Sequence, residues 1–94
     1  MDESHFAELS VRWQRDSRDK SLTEIEAHPA YIEMLRADQE VLPLVLKELF
    51  SEREPFIGWL SLLTAITGED PALGALDVRV AVRKWRVWAR RQMP

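Results

Sequence analysis

The residues of this chain that could do chemistry are few, and their spacing does not converge on a reaction. His5 and His28 are the only histidines, and there is no cysteine. Neither histidine has a ligand-type residue four positions on, so the paired ligands of a helical metal site are missing. Glu24, Glu26 and His28 could face one cation, but Pro29 distorts that turn, and structural metal sites collect four good ligands. Ser10, Ser17, Ser21, Ser51 and Ser61 occur without the glycine pattern of a nucleophile elbow, and nucleophilic catalysis needs a base and an orienter beside the hydroxyl. Three glycines do not make a phosphate-cradling loop. The carboxylate pairs Glu52/Glu54 and Glu69/Asp70 fall in loops or at helix ends, where they favour the positive end of the next helix dipole. The sequence therefore predicts no catalytic set, no cofactor and no metal site, and the chain reads as a non-enzyme.

What remains is charge. Residues 77–94 carry six bases against Asp77 alone, whereas residues 1–76 carry seven bases against fifteen acids, in a chain of net charge −3. Within LDVRVAVRKWRVWARR, residues 76 to 91, Arg79, Arg83, Arg86 and Arg90 follow the i, i+4, i+7, i+11 spacing of one helix stripe. Val78, Ala81, Val82, Trp85, Trp88 and Ala89 gather on a neighbouring side, wide enough to face a core. Val80 and Val87 lie roughly opposite that side, flanked by Lys84 and Arg91. The tryptophans are therefore assigned to the core, and the basic surface to solvent.

Three roles compete for this surface. It could be a solvated face paired with the acids of the same chain. It could dock an acidic protein surface or a second copy, since arginine makes bidentate contacts with carboxylates and is enriched at interfaces. It could also hold nucleic acid, although the overall negative charge opposes this and no reader motif is present. The candidate partner-binding residues are Arg79, Val80, Arg83, Lys84, Arg86, Val87, Arg90 and Arg91. No membrane role is expected, because the tryptophans needed for insertion are used in the core.

The elements that must position these residues are helical. Phe6, Leu9 and Trp13 predict an amphipathic helix over about residues 4–16. Ser21-Leu22-Thr23-Glu24 has capping-box spacing and opens a short helix. His28-Pro29 stops it and starts another, whose face is Tyr31, Met34 and Leu35; His28 is suited to cap the free N–H groups there or to pack beside Tyr31. Asp38-Gln39-Glu40 is a break. The next helix, led by Pro43, is apolar on most sides from Val41 to Phe50, so residues 41–51 are expected to be the buried centre. Glu54-Pro55 should open a helix carrying Trp59, Leu60, Leu62, Leu63 and Ile66, stopped at Gly68. The run Val78–Val82 could be a strand by propensity but continues into a helical pattern, so it reads as helix.

Taken together, His28-Pro29-Ala30-Tyr31, Leu42-Pro43-Leu44 before Glu48-Leu49, Trp59, Ile66-Thr67-Gly68 with Pro71, and Trp85 with Trp88 resemble a widespread family of small bacterial proteins. Its members show HPAYQ, a Met-Gly turn, ALPLIL, REL, a tryptophan segment ending AITG, and WLxWG. Phe6, Leu9 and Trp13 are similar to its FxxLxxxW opening, so the resemblance covers nearly the whole chain. It departs at Ile32 (Gln in the family), Ala37-Asp38 (Met-Gly) and Ala89 (Gly). The resemblance implies a fold rather than a particular activity. Family members are often encoded beside other small genes, which implies a partner.

The expectation is a single all-α domain over 1–94: five or six short antiparallel helices around one core, with a hairpin resembling a HEAT-type helix pair. The N-terminus MDESHFAELS is acidic and lacks the apolar run of a signal peptide. The longest apolar-rich stretch, FIGWLSLLTAI, is too short to span a bilayer. A cytoplasmic setting and a non-catalytic adaptor or antitoxin-like role are the expectation, with nucleic-acid binding through the last helix as the alternative.

Overall fold

The computed structural model describes residues 1–51 and 55–92. Within them the chain forms α1 (Glu3–Asp16), α2 (Leu22–Glu26), α3 (Pro29–Ala37), a 3₁₀ turn (Asp38–Glu40), α4 (Leu42–Leu49), α5 (Ile57–Thr67) and α6 (Val78–Gln92). The fold is all-α with six helices, and no strand occurs among the described residues.

Local signals set most boundaries. Asp2 caps α1 by accepting from the His5 N–H at 2.7 Å. Ser21 and Glu24 complete a reciprocal capping box at α2, which satisfies N–H groups that a helix start leaves free. His28 caps α3, its Nδ1 accepting from the Ala30 N–H at 3.0 Å, with Pro29 in the first turn. Gly68 ends α5 at φ 72, a left-handed conformation that glycine adopts without steric cost. Asp38 takes φ 52 at the end of α3.

Two expectations change. Helix α5 begins at Ile57 rather than at Pro55, with Phe56 at its N-cap and no side-chain cap; Glu54 and the Glu52/Glu54 pair lie outside the described residues. The centre of the fold is also α5, not α4. Helix α5 packs against α2, α3, α4 and α6, and buries Gly58, Trp59, Leu62, Leu63 and Ile66. The segment 41–51 buries Val41, Val45, Leu46 and Leu49, while Phe50 is 41% exposed. Apolar density alone does not identify the middle of a bundle. That depends on which faces the neighbours occupy.

The core is one contiguous cluster with two aromatic centres. Trp13 of α1 is fully buried. It meets Phe56 at 4.9 Å, Trp59 at 5.3 Å and Tyr31 at 5.5 Å between ring centroids. The first two are edge-to-face contacts, the arrangement that the ring quadrupole favours. Trp85 of α6, also fully buried, meets Trp88 edge-on at 5.2 Å. His5 pairs with Glu33, and His28 Nε2 donates to Asp16 Oδ2 at 2.9 Å. The start of α1 is thus tied to the middle of α3, and its end to the start of α3, so these two helices run antiparallel.

Candidate binding surface on the last helix

Helix α6 starts where Asp77 Oδ1 accepts from the Val80 N–H at 3.0 Å. It ends with Arg90 and Arg91 in its last turn, where positive charge complements the helix dipole. Its inner side buries Ala81, Val82, Trp85 and Ala89 against α4 and α5. Trp88 sits at the rim, half-buried, with its Nε1 donating to Glu69 Oε2 at 3.2 Å. Glu69 therefore serves the indole of Trp88 and not the start of the next helix, which Asp77 caps.

Most of the residues singled out from the sequence lie on the exposed side of α6. Arg79, Arg83, Lys84, Val87, Arg90 and Arg91 are exposed, whereas Val80 and Arg86 are half-buried. Val80 is therefore less free than its position on a helical wheel suggests. The ion pairs recorded among the described residues join Met1 to Glu40, His5 to Glu33, Arg15 to Asp16, Lys20 to Glu24 and His28 to Asp16. None of these uses a base of α6.

Part of the arginine stripe has an internal role. Arg86 Nε donates to the backbone carbonyl of Leu49 at the end of α4, where a helix leaves carbonyls without partners and its dipole is negative. The guanidinium carbons of Arg86 and Arg90 lie 5.9 and 5.6 Å from the Phe50 ring centroid, within the range of cation–π attraction. Arg86 thus covers the end of α4, and Arg86 and Arg90 flank the Phe50 ring, which stays partly exposed. Arg79 and Arg83 differ: with Val82, Arg86 and Pro55 they line a shallow open groove.

The other chemistry-bearing residues stay apart. Glu24 is held by Ser21 and Lys20, Glu26 accepts from Ser61 Oγ at 3.2 Å, and His28 is held between Asp16 and Ala30. Gln14 donates to Ser10 Oγ, and Ser51 Oγ donates to the Glu48 carbonyl. Ser17 Oγ is buried at the end of α1 without a partner among the described residues. No group of three or more metal-type side chains forms among the described residues.

Hydrogen bonding from His28, and secondarily from Arg15, holds the Asp16 carboxyl below its ordinary pKa. The Ser21 backbone N–H, followed by its hydroxyl, does the same for Glu24. Both are capping or bridging carboxylates rather than reactive ones.

Sequence reasoning overlooked Arg12, Arg15 and Arg18 of the first segment. They recur every third residue, a helical spacing, but Asp16 and Asp19 among them mask the signal in any count of charge. Arg15 and Arg18 line an open groove with Ser10, Val11, Gln14, Pro55 and Phe56. No family model, no curated protein and no solved structure matches this chain.

Proposed function

We propose that the protein is a non-catalytic interaction module, an adaptor or antitoxin-like binder, that acts by docking the outer side of α6 onto an acidic protein surface. The observation that carries this reading is the composition of that side. It presents Arg79, Arg83, Lys84, Arg90 and Arg91 around the exposed Val87, an apolar centre with a charged rim. No helix of the described residues is long and apolar enough to cross a membrane. The resemblance to the small bacterial family adds support. Asp38, where that family carries Gly, has a positive φ, a conformation for which glycine is the default.

The test is capture of partners from a bacterial lysate by the parent and by Arg79→Glu plus Arg83→Glu, with bound proteins identified by mass spectrometry. The parent should retain a specific acidic protein that the variant releases. Sedimentation of both proteins tests whether the partner is a second copy. Retention of duplex DNA that falls steeply with salt, with no specific protein, would transfer the surface to nucleic acid.

A further inference from the structure

We propose that the docking surface does not end at α6 but continues across Pro55 onto α1, and that the joined trough takes one acidic, extended polypeptide segment. This extension rests on the reading of α6 as a partner-binding helix. Pro55 is the shared wall of three adjoining open grooves. The first is the α6 groove with Arg79, Val82, Arg83 and Arg86. The second contains Asp77, Val78 and Arg79. The third is the α1 groove with Val11, Arg15, Arg18 and Phe56. Five arginines from opposite ends of the chain therefore line grooves that meet at Pro55, and Val11, Phe56, Val78 and Val82 supply the apolar lining of those grooves.

Two acids near these grooves are engaged among the described residues. Asp77 caps α6, and Asp16 is shared between His28 and Arg15. None of the ion pairs recorded among the described residues uses Arg18, Arg79 or Arg83. Guanidinium forks match carboxylates in bidentate geometry, and arginines beside apolar groove walls suit a chain that alternates acidic and apolar side chains.

A polynucleotide fits less well. Binding of single strands uses exposed aromatic rings as stacking platforms, whereas Trp13, Trp59 and Trp85 are buried in the core and the half-buried Phe56 ring of the groove packs edge-to-face against Trp13 and Trp59. The rest of the molecule is acidic, and it would repel a long polyanion.

The test is fluorescence anisotropy with a labelled oligoglutamate peptide carrying a central leucine, and with a labelled DNA duplex in parallel. Arg15→Glu plus Arg18→Glu and, separately, Arg79→Glu plus Arg83→Glu should each weaken peptide binding by about tenfold or more, the equivalent of about 1.4 kcal/mol. Arg36→Glu plus Lys47→Glu, exposed bases that line none of the three grooves, should leave binding unchanged. If a glutamate variant loses its helical circular dichroism, the matching arginine-to-glutamine pair replaces it.

Loss only in the α6 variant overturns the continuation onto α1 and leaves the α6 reading standing. No peptide binding by the parent, or no loss in either variant, overturns both. An equal loss in the Arg36/Lys47 control, or tighter binding of the duplex than of the peptide, overturns the acidic-polypeptide assignment.

Discussion

The indole Nε1 of Trp13 donates to the backbone carbonyl of Ile25 at 2.9 Å in the buried interior, so one side chain of α1 both fills the aromatic core and ties down α2. Helix α2 is only five residues long, too short to persist without such contacts. Trp13→Phe keeps an aromatic ring but removes the indole donor, leaving the Ile25 carbonyl with only the longer bond from the His28 N–H at 3.4 Å. The lost bond should cost about 0.5–1.5 kcal/mol, with a further loss from the smaller ring. Denaturant unfolding checks this, and a parental midpoint would show that α2 is held by other contacts.

Gly58 is small for a packing reason. A Cβ at this position would lie 2.8 Å from the Trp13 ring and 2.5 Å from that of Phe56. Alanine gains about 1 kcal/mol of intrinsic helix propensity over glycine, but overpacking a filled core costs about 1–3 kcal/mol. Trp13 is fully buried and has no room to retreat, so Gly58→Ala should destabilise on balance. A thermal melt above that of the parent would show that the aromatic cluster yields.

Trp85→Ala should cost about 3–5 kcal/mol, the range for deleting a fully buried large aromatic. Domains of this kind are stable by about 5–15 kcal/mol in total, so the variant should melt far below the parent. Retention of the parental melting temperature would mean that α6 is not part of the core.

Asp16 and Glu24 predict the direction of acid sensitivity. Their folded carboxyls titrate below the ordinary values of 3.8 and 4.5. Their contribution is therefore complete above the ordinary carboxylate range and is lost as pH falls through the lowered folded values. Asp16→Asn should flatten the acid limb of stability against pH, measured by melts from neutral to strongly acidic solution. An unchanged limb would show that the bridge to His28 contributes nothing. At neutral pH, His28→Ala should cost about 1 kcal/mol through loss of the α3 cap, and His28→Asn should recover most of it.

The arginines of α6 should separate into two groups. Arg86→Glu places a carboxylate against the carbonyl end of α4, and should cost about 1–2 kcal/mol through the lost hydrogen bond and the reversed dipole interaction. Arg79→Glu plus Arg83→Glu changes exposed side chains and should stay within about 1 kcal/mol of the parent. Equal melting temperatures for the two variants would remove the internal role of Arg86.

Much of this molecule is set by short-range rules that operate within a few residues. Ser21 with Glu24, His28 with Pro29, and Gly68 mark helix ends because a free backbone N–H or a left-handed turn is satisfied locally. The inward faces of α1, α3 and α6 follow from the repeat of the α-helix, as does the outward placement of the arginines on α6. Tertiary packing decided what no local rule reaches. It made α5 rather than α4 the buried centre, because four helices close around one and leave Phe50 at the margin of the other. It turned Arg86 onto the end of α4, whose carbonyls attract a cation only once the two helices meet. It also brought Arg15 and Arg18 beside the same proline as Arg79 and Arg83. Residues so distant along the chain come to line grooves against one proline only when burial of Trp13, Trp59 and Trp85 draws their helices onto one core.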